Sequence, residues 1–122
     1  MEYTRIQKAA PSHPPPHMLD YDATVAQFSW VQAAALLDGL PDGAGLNMAY
    51  EAVDRHVKHG RGHKTAIRWL GKNGERLSLN YTELARASNQ FANALEGLGV
   101  KPGERVFVLM GRLPELYVAV LG

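Results

Sequence analysis

The order of apolar and polar positions along this chain predicts several helices and strands. From Tyr21 onward, apolar residues recur near helical spacing, and the turn-forming run 38–43 would stop this first helix. Asn47 is a suitable N-cap for a second helix that reaches about His59. The residues predicted to share one face of the second helix are Leu46, Tyr50, Val53 and Val57.

A β-hairpin and one buried strand are predicted in the second half of the chain. Residues 64–70 and 75–79 are β-prone runs separated by Asn73-Gly74. This pair suits a hairpin loop because both residues tolerate positive φ. Residues 105–110 are nearly all apolar, as expected of a strand that is covered on both faces.

Two further helices flank the predicted strand. Asn80 and Glu83 have the spacing of a capping box, and Gly99 suits the left-handed position after a helix C-terminus. The apolar stripe of this helix contains Leu84, Ser88, Phe91, Leu95 and Leu98. Pro114 lies near the first turn of the last helix, where its missing N–H is not needed. The residues of the last helix expected to face the sheet are Leu116, Tyr117, Val120 and Leu121.

The predicted fold class is α/β, with a β-hairpin, one buried strand and about four helices. A parallel sheet needs a second strand after the last helix, and none follows before Gly122. We therefore expect an incomplete portion of a larger α/β domain, truncated in its last helix. Residues 1–19 contain four prolines among polar residues and are predicted to form a disordered leader.

Composition narrows the function classes. The 122 residues include 13 Lys+Arg and 12 Asp+Glu, without the basic face or run typical of nucleic-acid binding. The sequence has no cysteine, which excludes disulfides, thiol catalysis and cysteine-ligated metals. No apolar run approaches the ~18 residues that a membrane span requires, and the first residues lack the apolar core of a secretory signal. We therefore predict a cytoplasmic protein that binds neither nucleic acid nor membrane.

Histidines recur in two places, and neither pattern favours a metal site. His13 and His17 flank three prolines, and positions four apart in a polyproline helix point in different directions. His56, His59 and His63 gather at the predicted end of the second helix. A positive charge there is favourable for reasons of the helix dipole alone. We predict that none of these five residues is a metal ligand.

The sequence contains no recognisable motif for phosphate binding or for acid–base catalysis. Asp54, Arg55 and His56 are consecutive helical residues, which do not face one another and therefore form no relay. Arg112, in the only predicted strand-to-helix turn, is interpreted as a surface residue, with an anion at the helix N-terminus as the alternative. Three glycine pairs fail to follow a strand and open a helix, as a phosphate loop must: Gly43/Gly45, Gly60/Gly62 and Gly97/Gly99. We predict no catalytic, cofactor-binding or metal-binding residue.

Several segments resemble acetyl-CoA synthetases and the wider adenylate-forming superfamily. Asn47–His56 looks like the N-terminal region of acetyl-CoA synthetases. Asn80-Tyr-Thr-Glu-Leu84 is similar to a helix start of the superfamily, with asparagine in place of the usual threonine cap. Leu98–Val106 is similar to its turn and strand, and Arg112-Leu-Pro-Glu-Leu-Tyr117 resembles a segment of acetyl-CoA synthetases and close acyl-CoA synthetases. The resemblance covers residues 20–122.

The resemblance implies an acetate–CoA ligase that joins ATP and acetate into acetyl-adenylate and then transfers the acetyl group to CoA. ATP, Mg and CoA are thereby implied for the full-length enzyme, and none for this chain. Residues 20–62 would be the N-terminal helical segment, and residues 63–122 the start of the AMP-binding domain. The catalytic motifs of the family lie downstream and have no matching position here, so the chain alone is predicted to be inactive.

Two alternatives stay open at this point. The chain could be a standalone, non-catalytic interaction module, or a piece of a related short- or medium-chain acyl-CoA synthetase. In either case the unfinished sheet would leave apolar surface uncovered, which favours self-association.

Overall fold

Four α-helices, a stretch wound largely as π-helix, a short 3₁₀ turn and one β-hairpin are the regular elements of residues 17–122, the part of the chain that this computed structural model describes. Most of the predicted leader, including His13, lies outside the described residues. The chain divides between Leu36 and Leu37 into two units. Each unit has its own local structure.

The first unit contains two short helices, α1 (Tyr21–Gln27) and α2 (Trp30–Ala34). Asp20 caps α1, since its side chain accepts a hydrogen bond from the Ala23 N–H at 2.9 Å. The prediction of a single helix here is wrong, because Phe28 and Ser29 adopt extended backbone conformations between the two helices. Neither helix buries a residue.

The second unit begins with a 3₁₀ turn, Pro41–Gly43, followed by a helical stretch that is wound largely as π-helix. Its two π-helical segments are Tyr50–Asp54 and Val57–Arg61, and we call them together the π-helical stretch. The Asn47 side chain accepts a hydrogen bond from the Tyr50 N–H at 3.0 Å, which confirms the predicted cap. Gly60, at φ 74°, ends the regular helix.

The predicted hairpin is present as strands β1 (Thr65–Leu70) and β2 (Arg76–Asn80), which pair antiparallel. The connecting loop, residues 71–75, is closed by a hydrogen bond from the Gly71 N–H to the Glu75 carbonyl at 2.8 Å. Gly74 takes φ 90°, the positive value that the Asn-Gly pair predicted. A bulge between Thr65 and Ile67 shifts the register near the end of the ladder.

Helix α3 (Tyr81–Gly97) is the longest element, and both of its ends follow the sequence prediction. The Glu83 N–H donates to Asn80 Oδ1, and the Asn80 N–H donates to Glu83 Oε2, both at 2.8 Å. These reciprocal bonds are a capping box. At the other end, Gly99 has φ 86°, and the Val100 N–H donates to the Leu95 carbonyl at 3.1 Å, as in a Schellman ending.

The core lies where the π-helical stretch, the hairpin and α3 meet. Its buried apolar residues are Val53, Leu84 and Ala85. Ser88 is also buried and donates from its hydroxyl to the Ala85 carbonyl at 3.1 Å. The partly buried residues that pack against this core are Val57, Ala66, Ile67, Leu79, Tyr81, Val118 and Leu121. Two residues predicted for these apolar faces, Leu46 and Leu98, are exposed instead.

The last helix, α4 (Pro114–Leu121), packs against α3. Pro114 occupies its first turn, as predicted, and is the one buried residue of the helix. Val118 and Leu121 contact the core, whereas Tyr117 and Val120 are largely exposed. The inward face of α4 therefore differs from the predicted one, because the helix meets α3 rather than a sheet.

The predicted buried strand at residues 105–110 is not formed. Phe107 and Leu109 are 92% and 101% exposed, and the whole run is solvent-accessible. A strand of this kind needs a hydrogen-bonded neighbour, and the only ladder among residues 17–122 is that of β1 and β2. The architecture is thus a mixed helical and β structure, with one strand fewer than expected.

The capping box generates a stability prediction. Asn80→Ala removes the acceptor for the Glu83 N–H and should lower the free energy of unfolding by about 1 kcal/mol. Urea unfolding followed by circular dichroism would measure it. Asn89→Ala is the matched control, because Asn89 is exposed inside α3 and alanine is the better helix former there. Equal losses for both variants would contradict a specific role of the cap.

Candidate functional site

The main cluster of charged side chains in the second unit lies where the loop after residue 37 meets the π-helical stretch. It consists of Asp38, Glu51, Arg55 and His59, and we call it the loop-docking cluster. The last three residues are spaced four apart along the helix, which places them on one side of it.

Glu51 is the centre of this cluster. Its carboxylate accepts hydrogen bonds from the Gly39 N–H at 2.7 Å and the Asp38 N–H at 3.3 Å. The same carboxylate pairs with Arg55 Nη1 at 2.6 Å. Partial burial raises the pKa of the Glu51 carboxyl, but the Gly39 N–H, the Arg55 guanidinium and the Asp38 N–H outweigh it. The net result is a pKa below the usual range for glutamate.

Asp38 adds a second connection between the loop and the helix. Its carboxylate lies 3.7 Å from Arg55 Nε and 3.0 Å from His59 Nε2. The loop is therefore held by two carboxylates, one from each side, that share one guanidinium. The carboxylates, the guanidinium and the imidazole of the cluster contact one another, and they hold the backbone of the loop against the helix.

The predicted histidine cluster separates in the structure. His59 pairs with Asp38, whereas the His56 ring packs against Tyr81 with ring centroids 4.7 Å apart. Within residues 17–122, no group of three His, Cys, Asp or Glu side chains could hold a metal ion. Arg55 and His56 contact different partners, Glu51 and Tyr81.

A cleft of about 600 Å³ opens between the hairpin loop and the start of α4. The Trp69 Nε1–H donates to the Arg112 carbonyl at 2.7 Å and joins the two walls. Arg112, the residue for which an anion was the alternative interpretation, lines this cleft together with Lys72. The remaining lining residues are Leu70, Gly71, Leu113, Leu116 and Tyr117.

None of the three glycine pairs lies at the start of a helix. Gly60 ends a helix, and Gly97 and Gly99 lie at the C-terminus of α3, where carbonyl groups rather than N–H groups are exposed. Gly43 is the last residue of the 3₁₀ turn and Gly45 follows it, in the loop that Glu51 holds. None of the described helices is both long and apolar enough to cross a membrane.

Comparisons with known proteins indicate one and the same family. The profile described as "AMP-binding enzyme" matches residues 53–122. An acetyl-coenzyme A synthetase of Chlorobaculum tepidum is 45% identical over 80 residues, which are 66% of this chain and 12% of that protein. An acetyl-coenzyme A synthetase of Magnetococcus marinus is 39% identical over 106 residues, 86% of this chain and 15% of that protein.

Two further similar proteins are named for 3-hydroxypropionyl and for acyl groups in general rather than for acetyl. A 3-hydroxypropionyl-coenzyme A synthetase of Sulfurisphaera tokodaii is 42% identical over 93 residues, 76% of this chain and 14% of that protein. The crystal structure of an acyl-CoA synthetase of Brucella canis superimposes with a TM-score of 0.72 at 35% identity, over 84% of this chain and 18% of that one. The chain thus spans 12–15% of the length of these curated relatives.

The loop-docking cluster predicts a pH dependence. The pKa of the Glu51 carboxyl is lower in the folded chain than in the unfolded chain, so ionised Glu51 stabilises the fold above the ordinary glutamate pKa. This stabilisation is lost as the pH falls through the lower pKa of the folded chain. The amide proton shift of Gly39 should therefore titrate below the usual range of glutamate, as measured by nuclear magnetic resonance. Glu51→Gln should abolish this titration and speed hydrogen exchange at Gly39, because the charged acceptor is lost.

Glu96→Gln is the control for this prediction, since Glu96 is exposed on α3. If Glu96→Gln changes the Gly39 titration as much as Glu51→Gln does, the assignment to Glu51 is wrong.

Proposed function

This chain belongs to the AMP-binding enzyme family, and we propose that it forms the N-terminal part of a cytoplasmic AMP-forming acetate–CoA ligase. The main support is that two acetyl-coenzyme A synthetases match it at 45% and 39% identity. The fold agrees, because 84% of the chain superimposes on an acyl-CoA synthetase. In this proposal residues 1–19 are a leader, residues 20–62 the helical segment, and residues 63–122 the start of the AMP-binding domain.

The proposed reaction of the whole enzyme has two steps. ATP and acetate give acetyl-adenylate and pyrophosphate, and CoA then takes up the acetyl group as a thioester and releases AMP. The described residues provide no carboxylate and histidine group that fits Mg. We assign the binding of ATP, Mg and CoA to the rest of such an enzyme, because the catalytic motifs of the family have no matching position in this chain. A related short-chain acid is the alternative substrate, as the 3-hydroxypropionyl-coenzyme A synthetase relative illustrates.

The role proposed for this chain is structural. The hairpin, α3 and α4 share a core with Val53, Leu84 and Val118, which makes them one packed unit. The exposed run 105–110 then offers an apolar strand to further strands of the large domain. The chain would thus supply a wall of the enzyme and contribute no reacting group.

A chimera tests this proposal directly. The segment of the Chlorobaculum tepidum enzyme that aligns with this chain would be replaced by the matching residues of this chain. We expect acetate-dependent formation of acetyl-CoA within about tenfold of the parent enzyme, equivalent to about 1.4 kcal/mol of activation free energy. The parent enzyme without the segment is the negative control and should be insoluble or inactive. A chimera that folds and is soluble, yet forms no acetyl-CoA, would contradict the proposal.

The free chain should be inactive. We expect no acetate-dependent exchange of pyrophosphate into ATP above background, because the catalytic motifs that the resemblance implies have no matching position in this chain. The parent enzyme at the same concentration is the positive control, and circular dichroism verifies that the chain is folded. Exchange that co-purifies with the chain, and that the Leu84→Asp variant abolishes, would overturn the prediction of inactivity.

An interaction module is the second candidate function, and one observation favours it. Phe107 and Leu109 are fully or almost fully exposed in the free chain, and Val106, Val108 and Met110 beside them are 38–48% exposed. A run of this composition favours pairing with another strand, including that of a second copy. Sedimentation of the chain alone, compared with a Phe107→Lys variant, would reveal such self-association. A chimera that is active while the chain stays monomeric would favour the ligase role.

A further inference from the structure

The hairpin loop contains an asparagine followed by glycine in an exposed, hydrogen-bonded turn. Residues 72–75 are all exposed. Gly74 has φ 90°, and its N–H donates to the Gly71 carbonyl at 3.2 Å, near the long end of the range for such bonds. The Asn73 side chain is held by one hydrogen bond, from Nδ2 to Glu75 Oε1 at 3.2 Å.

We propose that Asn73 is a site of spontaneous chemical modification, at which the side-chain amide is lost through a cyclic imide formed with Gly74. The Gly74 amide nitrogen loses its proton and forms a bond to Asn73 Cγ. The bond between Cγ and Nδ2 breaks, and the leaving nitrogen departs as ammonia. Water then opens the imide at either carbonyl and leaves aspartate or isoaspartate at position 73. No oxidant or reductant takes part.

Glycine at the following position makes the attack feasible, because it carries no Cβ to hinder the approach of its nitrogen to Cγ. An ideal Cβ at Gly74 would meet no atom within 4 Å, which shows how open the loop is on that side. The two hydrogen bonds that must open, those of Gly74 N–H and Asn73 Nδ2, are both 3.2 Å long and lie at the surface. Weak, solvent-exposed bonds of this kind open easily.

The other asparagines among the described residues are protected by their positions. Asn47 and Asn80 are helix caps whose Oδ1 atoms accept hydrogen bonds from backbone N–H groups at 3.0 and 2.8 Å. Asn89 and Asn93 lie inside α3, where the backbone N–H of the next residue is committed to the helix. None of these four is followed by glycine. They are internal controls within the same molecule.

The modification would change the charge balance of the loop. The Glu75 carboxylate accepts hydrogen bonds from the Asn73 N–H at 2.9 Å and from Asn73 Nδ2. Its own backbone N–H, followed by these two donors, lowers the pKa of the Glu75 carboxyl. Aspartate or isoaspartate at position 73 replaces the Nδ2 donor with a second carboxylate, and like charges at this distance repel. Isoaspartate also lengthens the backbone of a loop that sets the strand register.

The first experiment follows each asparagine over time. The folded chain would be incubated at mildly alkaline pH, and its peptides would be analysed by mass spectrometry for a gain of about 1 Da. We expect the peptide with Asn73 to convert several times faster than those with Asn47, Asn80, Asn89 and Asn93, and to contain isoaspartate. Equal rates at all five positions would overturn the proposal. Conversion to aspartate without isoaspartate would overturn the cyclic-imide route.

The second experiment tests the consequence for the loop. Asn73→Asp places a carboxylate where the amide stood, and should speed hydrogen exchange of the Gly71 N–H, which closes the loop. The double variant Asn73→Asp with Glu75→Gln removes the repulsion and should restore slower exchange. If Asn73→Asp exchanges at the rate of the original chain, or if the double variant fails to restore it, the proposed effect on the loop is wrong.

Discussion

The capping box at Asn80 is the constraint on which the second unit depends. Asn80 is the last residue of β2, where it pairs with Thr65, and it is also the N-cap of α3. The strand therefore has no linker in which to change direction before the helix begins. Leu79 on one side of this junction and Leu84 on the other both pack in the core. The reciprocal pair of hydrogen bonds and this packing together set the direction of the helix relative to the hairpin.

Features encoded by neighbouring residues could be predicted from the sequence, whereas features that depend on distant partners could not. The caps at Asn47 and Asn80, the Asn-Gly hairpin and the glycine ending of α3 each need only a few adjacent residues, and all four are present. The apolar run 105–110 has the composition of a buried strand, but pairing needs a neighbouring strand, and composition cannot supply one. The break between α1 and α2 was missed because helical spacing continues across Phe28 while its backbone does not.

The loop-docking cluster combines three residues that a local spacing could indicate with one partner that it could not. Glu51, Arg55 and His59 recur every four residues, a spacing that could have indicated a charged face of the helix. Their partner Asp38 lies across a loop of glycines and a 3₁₀ turn, whose path no local pattern defines. The role predicted for His59 at the helix end therefore left out its partner, the Asp38 carboxylate. His59 and His56 contact different residues, Asp38 and Tyr81.

The distribution of apolar surface connects the fold to its family. A small core of Val53, Leu84 and Ala85 holds the hairpin and helices together, while Phe107 and Leu109 contribute nothing to it. Apolar side chains of this size each gain roughly 1.5–3 kcal/mol when they are buried, so leaving both exposed forgoes a large share of the stability available to the unit. The relatives are several times longer than this chain. A larger parallel sheet would cover such a run on both faces, which is the physical reason to propose that it is an internal surface of a longer AMP-binding enzyme.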